Sequence, residues 1–152
     1  EKTIIEYSTL LSSHINEICK ILIKNKGAKL LIDYGKNNPY GDTLQSVFKN
    51  EKSNFFDKIG ESDYSSLVDF RNIKNIVENK NLQFYPIKTQ RDFLLEMGIN
   101  ERIENLSLSA TQFERRDLLA GYERLISKRQ MGEIFKVNCF SNKNLVVPVF
   151  KL

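Results

Sequence analysis

Ala28-Lys29-Leu30-Leu31-Ile32-Asp33-Tyr34-Gly35 is the stretch from which the fold is read. Leu30 to Ile32 is a continuous apolar run bounded by turn signals. A strand buried on both faces reads this way, and such strands belong mostly to parallel sheets. Upstream, Leu11, Ile15, Ile18 and Leu22 recur at helical spacing and define one apolar face, with His14 and Glu17 elsewhere on the cylinder. Ser8 can cap the start, and Lys24-Asn25-Lys26-Gly27 supplies cations and then a glycine at the end. The pattern predicts a helix over 9–26, with Lys20, Lys24 and Lys26 as a solvated end that complements the helix dipole. A helix followed closely by such a strand is half of a βαβ unit, and the chain is expected to be α/β.

Downstream, residues 36–43 read as a polar, turn-rich loop. In 44–63 the apolar Phe48, Phe55, Phe56 and Ile59 fit neither period, so an ordered loop with short strand or helix pieces is expected. Phe70, Ile73, Ile76 and Val77 predict a helix over 69–79, and residues 82–87 a second strand. Thr89 to Asp92 opens a short helix that Gly98 stops. A helix over 100–106 follows, and then one opened by a capping box at Ser109 to Gln112. That last helix presents Phe113 or Leu118, then Leu119, Tyr122, Leu125 and Ile126, and Met131-Gly132 breaks it. Residues 134–140 are a third strand, and 145–150 a candidate hairpin partner across 141–144. Three or four strands among five helices make a poor closed sheet. The first strand reads as a central one whose neighbours are missing.

At 152 residues the chain is one ordinary domain. Ten Phe and six Tyr are too many for intrinsic disorder. The net charge of +4 is scattered, without a basic run or a basic stripe with interleaved aromatics, so no nucleic-acid partner is expected. Apolar runs of four or five residues fall far short of the roughly 20 that a membrane helix needs, and no membrane partner is expected. No basic region followed by an apolar segment opens the chain, so no signal peptide is expected either. The abundant Lys, Asn and Ile read as compositional drift of an AT-rich genome. Cys19 and Cys139 read as buried free thiols in a reducing compartment, against a disulfide or metal pair. His14 is the lone histidine, which rules out a multi-histidine metal site. The chain opens on Glu1 rather than Met and is expected to be a piece of something longer.

In open α/β sheets ligands bind beyond the carboxyl ends of the strands. Asp33 and Tyr34, followed by Gly35, are delivered to such an end, placed to hydrogen-bond a substrate or cofactor. The plainer account is that Asp33 caps a turn and Tyr34 packs on the loop. Gly60-Glu61-Ser62-Asp63, with Asp69 six residues later, could line a cleft with carboxylates. Helix capping by Ser66 or Asp69 accounts for much of that cluster without function. There is no GxGxxG, no P-loop lysine and no GxSxG elbow.

Five blocks in order carry a resemblance: Leu31 to Gly35, Asp42-Thr43-Leu44, Gly60 to Asp63 leading into Val68-Asp69-Phe70, Thr89 to Ile99, and Met131 to Val137. Together they resemble the C-terminal part of the MidA family of S-adenosylmethionine-dependent methyltransferases, related to the mitochondrial complex I assembly methyltransferase. The resemblance covers about Ser8 to Phe140. It departs at Ser65-Ser66-Leu67, where the family usually has Thr-Ala-His. It departs again at 49–54, near which the family carries a further histidine.

The resemblance implies that residues 28–34, 82–87 and 133–140 are strands five, six and seven of a class I (Rossmann-like) methyltransferase sheet. The last two would pair antiparallel, with the helices between 89 and 127 an insertion that acts as a lid or partner surface. Strands one to four, and the turn that grips the cofactor, would precede Glu1. Residues 1–152 are then one segment, the C-terminal half of the domain, with no cofactor-binding residue of its own.

The activity implied is methyl transfer from S-adenosylmethionine to a protein arginine, with Asp33, Glu61, Asp63 and Asp69 positioning the guanidinium and Tyr34 orienting it. Implied partners are a protein substrate such as a complex I subunit, and an N-terminal counterpart or a second copy. The implied compartment is the cytoplasm, or the mitochondrial matrix in a eukaryotic host. A second reading, from the missing histidines and missing N-terminal half, is a non-catalytic remnant or interaction module of a split or decaying gene.

Overall fold

The structure is a computed structural model that describes residues 4–150. Helix α1 (Thr9–Asn25) starts where the Ser8 hydroxyl accepts the Leu11 N–H, and it ends at Lys26, φ 57°. Strand β1 (Ala28–Lys36) follows as expected. The short pieces expected within 44–63 are strands: β2 (Gln45–Phe48), β3 (Glu51–Ser53) and β4 (Asp63–Ser65), an antiparallel sheet in the order β3-β2-β4. Such short pieces carry too few residues for either period to register.

Strand β5 (Val68–Asp69) leads into helix α2 (Phe70–Asn79). The expected strand over 82–87 is split into β6 (Gln83–Phe84) and β7 (Lys88–Thr89). Helices α3 (Gln90–Glu96), α4 (Ile99–Ser109), α5 (Gln112–Ile126) and α6 (Met131–Ile134) precede the last strand, β8 (Phe135–Ser141). The capping box of α5 is Thr111 with Glu114, two residues later than the Ser109 to Gln112 reading.

The main sheet is mixed, in the order β5-β1-β8-β6, with β7 also on β8. β8 runs antiparallel to β1 over seven residues, from Ala28↔Ser141 to Tyr34↔Phe135. It pairs antiparallel with Gln83 and Phe84, and again with Lys88 and Thr89. Between those pairs three residues, 85–87, oppose only Asn138 and Cys139. This is a bulge, and Pro86, which has no N–H to donate, sits in it. The buried Asn138 amide fills part of the gap by donating to the Tyr85 carbonyl at 2.7 Å. With both edges of β8 taken, residues 145–150 have no strand to join. They are irregular apart from a turn at residues 148 and 149, and Phe150 is buried against Tyr85 and Phe93.

The alternation of β8 splits the core in two. Phe140 joins Ile15, Cys19 and Leu22 of α1 and Phe70, Ile73 and Val77 of α2 on one face. Val137 and Cys139 join Phe93 and Phe150 on the other. Leu31 packs on the α1–α2 side, whereas Leu30 and Ile32 are 44% and 47% exposed. The expectation of a strand buried on both faces therefore fails on one face among the described residues. Among the described residues β1 also lacks a partner along Ala28–Tyr34 on its β5 side, where only Gly35 and Lys36 are paired. Cys19 and Cys139 are free and buried, as read from their number and spacing. Burial pushes the Cys139 thiol up to about 11, so neither thiol has the exposure of a nucleophile.

Candidate functional site

The carboxyl end of β1 is built by a close approach. Gly35 and Lys36 pair in parallel with Val68 and Asp69. A Cβ on Gly35 would stand 2.5 Å from the Val68 carbonyl oxygen and 2.7 Å from Phe70 Cε2, so only glycine admits β5 here.

Asp69, next on β5, is the N-cap of α2. Its Oδ1 accepts the N–H groups of Arg71 (2.9 Å), Asn72 (3.3 Å) and Asn38 (3.3 Å). The capping account of Asp69 therefore holds, and the same carboxylate ties the loop after β1 to the helix. We expect Asp69→Ala to cost about 1 kcal/mol in urea unfolding and Asp69→Asn only a few tenths, since asparagine caps equally well.

Asp33 is exposed, its Oδ1 accepting the Tyr34 N–H at 2.7 Å. Tyr34 is half-buried, its ring 6.2 Å from that of Phe135. Successive strand residues point to opposite faces, so Asp33 and Tyr34 share the strand end without sharing a face. Glu61 and Asp63 lie elsewhere. Glu61 is in the turn before β4, its N–H bonded to the Lys58 carbonyl, and Asp63 opposes Val47 in the small sheet. The structure thus brings Asp33, Tyr34 and Asp69 to one strand end and leaves Glu61 and Asp63, both exposed, on the neighbouring sheet.

A residue absent from the sequence reading completes the place. The Glu6 carboxylate accepts the N–H groups of Thr43 (2.8 Å) and Leu44 (3.0 Å) and the Thr43 hydroxyl, whose oxygen accepts the Leu67 N–H at 3.0 Å. An isolated glutamate in an extended approach carries no periodic signal, although Thr43 lies in one of the family blocks. Asn72 Nδ2 donates to Ser12 Oγ at 3.2 Å, joining the first turns of α1 and α2. Glu6, Ser8, Pro39, Leu67, Asp69 and Asn72 border a cleft of about 490 Å³ beyond the end of β1. A larger groove of about 720 Å³ lies between α4 and α5, lined by none of these residues. Of the two, only the cleft is bordered by one of the candidate residues, Asp69.

The Thr43 hydroxyl, with the Thr43 and Leu44 N–H groups, holds the Glu6 carboxyl below the usual carboxylate range against a smaller opposing effect of burial. A lowered value in the folded state means that this attachment contributes fully above the ordinary carboxylate value, about 4.3, and is lost as pH falls through the lower folded value. Protection of the Thr43 and Leu44 amides from hydrogen exchange, relative to their intrinsic rates, is expected to fall in that acid window, and Glu6→Gln to remove the pH dependence of that protection.

Among the described residues no helix is long and apolar enough to cross a membrane, and no group of His, Cys, Asp and Glu could hold a metal. A mixed sheet flanked by helices, with a cleft beyond the carboxyl end of a strand, defines an α/β fold. Residues 1–87 match the family model described as "Putative S-adenosyl-L-methionine-dependent methyltransferase", and the chain belongs to that family. It is 30% identical over 122 residues to the mouse (Mus musculus) protein arginine methyltransferase NDUFAF7, mitochondrial, a match that covers 80% of this chain and 28% of that one. The human (Homo sapiens) protein of that name is 31% identical over 122 residues, covering 80% and 27%. The chain thus spans little more than a quarter of these relatives.

Two solved structures from Burkholderia thailandensis share the fold. One, an uncharacterized protein, has TM-score 0.83 and 23% identity over 93% of this chain and 39% of that one. The other, bound to S-adenosyl-homocysteine, has TM-score 0.76 and 24% identity over 88% and 36%.

Proposed function

We propose that this chain is the acceptor-side portion of an S-adenosylmethionine-dependent protein methyltransferase and that the acceptor is an arginine side chain. The observation that supports the reading is the β1–β5 register: Asp69, paired with Lys36 of β1, borders the cleft, and Asp33 and Tyr34 lie on β1 as well, two to three residues before Lys36 and outside the cleft lining. The names of the mouse and human relatives support the acceptor class and, in a eukaryotic host, the mitochondrial matrix. A complex I subunit as substrate rests on the family resemblance alone. The antiparallel pairing of β8 with both β1 and β6–β7 supports reading these strands as five, seven and six of a class I sheet, with α3 to α6 inserted between six and seven. Residues 1–152 then form one segment of a domain whose cofactor grip lies in the part of the relatives that this chain does not span.

The residues described here do not fit the cofactor by themselves. A carboxylate and a ribose are held by a glycine-rich strand-to-helix turn and open helix N-termini. Here the Ser8 and Asp69 side chains cap the first turns of α1 and α2, and a carboxylate at the second repels an anionic group. What the chain offers instead suits a guanidinium. Asp33 Oδ2 and Asp69 Oδ2 accept no hydrogen bond among the described residues, and a carboxylate pairs with a guanidinium through charge-assisted bonds of fixed geometry. Asp69 is pre-oriented by three backbone donors, so it can hold the acceptor without reordering. Glu61 and Asp63, on the small sheet leading into β5, contact the substrate beside the acceptor. Tyr34 orients the acceptor from the opposite face.

The test uses the chain expressed with any coding sequence that adjoins it. Transfer of labelled methyl from S-adenosylmethionine to protein substrate is compared for wild type, Asp33→Asn, Asp63→Asn and Asp69→Asn. Each lost charge-assisted bond is expected to lower kcat/KM about tenfold to a hundredfold, with Asp33 and Asp69 above Asp63. Unchanged rates for Asp33→Asn and Asp69→Asn together would remove the carboxyl end of β1 from the site.

A further inference from the structure

The α4–α5 hairpin is sparsely covered among the described residues. α4 buries no residue, and α5 buries only Ile126, at its last position. Helices of 11 and 15 residues are marginal in water unless a face is buried. Between them runs the groove of about 720 Å³, walled by Ile103, Leu106, Phe113, Leu118 and Leu125. Phe113 is 64% exposed and Leu106 41%, so the apolar wall continues onto the open surface. This is the profile of an association surface and not of a small-molecule pocket.

The charges around the groove indicate what covers it. Arg102, on α4, and Asp117, on α5, both line it, and neither has an ion-pair or hydrogen-bond partner among the described residues. Arg116 lies over the exposed Phe113 ring at 5.0 Å. From Ile99 to Ile126 there are four arginines against five carboxylates, nearly neutral within a chain of net charge +4. A patch that carries both an unpaired cation and an unpaired anion beside one apolar seam is complementary to itself. A two-fold operation brings the Arg102 region of one copy toward the acidic side of the other, and the near neutrality removes the repulsion that the rest of this basic chain would impose. We propose that the α4–α5 hairpin is a homodimerisation surface, two hairpins closing into a four-helix bundle that buries the groove.

Sedimentation equilibrium of the 152-residue chain tests this. Wild type is expected to sediment as a dimer. The double variant Leu106→Glu/Phe113→Glu is expected to be a monomer with an unchanged far-ultraviolet spectrum, since both side chains are already exposed in the single copy. Arg102→Asp and Asp117→Arg are each expected to weaken the dimer about tenfold, and the two combined to restore it, because a charge pair across the two-fold is reversed and not lost. Leu30→Glu/Ile32→Glu, on the open face of β1, is expected to leave the dimer intact. A monomeric wild type, a dimer that persists in Leu106→Glu/Phe113→Glu, or a dimer abolished by Leu30→Glu/Ile32→Glu would overturn the proposal. So would failure of the combined charge reversal to restore association.

Discussion

Gly35→Ala is expected to destabilise the protein by about 3 kcal/mol, seen as a melting temperature lower by roughly 10 °C. The added methyl meets the Val68 carbonyl oxygen at 2.5 Å and the Phe70 ring at 2.7 Å. A carbonyl in a paired strand cannot rotate aside as a flexible side-chain end could. Relief comes only from parting β1 and β5, whose pairing here is two residues long. Asp69 follows Val68 directly, so the parting also moves the α2 cap and the wall of the cleft. Stability and any acceptor binding should therefore fall together in this variant. A wild-type melting curve for Gly35→Ala would mean that β5 does not pack against β1 as described.

Phe140→Ala is expected to cost more, about 3–5 kcal/mol in denaturant unfolding. Phe140 is fully buried near the end of β8, against Ile15, Cys19, Phe70 and Ile73. Two helices and a strand meet on it, so the cavity left behind cannot collapse from one side alone. Domain stabilities of about 5–15 kcal/mol leave little reserve for such a loss. Phe56→Ala is the natural contrast. That ring is 87% exposed, and its removal should stay within about 0.5 kcal/mol. Equal effects of the two substitutions would refute the assignment of β8 as the strand shared by both core layers.

The elements most legible in the sequence are those whose signal is local. The 3.6-residue spacing of Leu11, Ile15, Ile18 and Leu22 yields α1, and Ser8 caps it as expected. Asp69 reads as a cap because an aspartate before an apolar helical run satisfies free N–H groups. What depends on distant partners is not legible. Leu30-Leu31-Ile32 is equally apolar at all three positions, yet only Leu31 packs beneath α1 and α2, because coverage is decided by other elements. Val146 to Phe150 has the residues of a strand but finds both edges of β8 occupied.

The candidate site divides the same way. Asp33 and Tyr34 follow from the rule that ligands gather at strand ends, and Asp69 joins them through the β1–β5 register. Glu61 and Asp63 are close in sequence to Asp69 but lie elsewhere, Glu61 in the turn before β4 and Asp63 in the small sheet. Glu6 reaches Thr43 and Leu44 across 37 and 38 positions, a link with no trace in local pattern.

Under the proposed function, this chain presents acceptor carboxylates and does not bind the cofactor by itself. Calorimetric titration of the purified 152-residue chain with S-adenosylmethionine, and then with S-adenosyl-homocysteine, tests it most directly. No saturable heat is expected at micromolar concentrations, because Ser8 and Asp69 cap the N-termini of α1 and α2 from within and no glycine-rich turn stands beside β1 among the described residues. A one-to-one, micromolar binding isotherm from a monodisperse sample would contradict it.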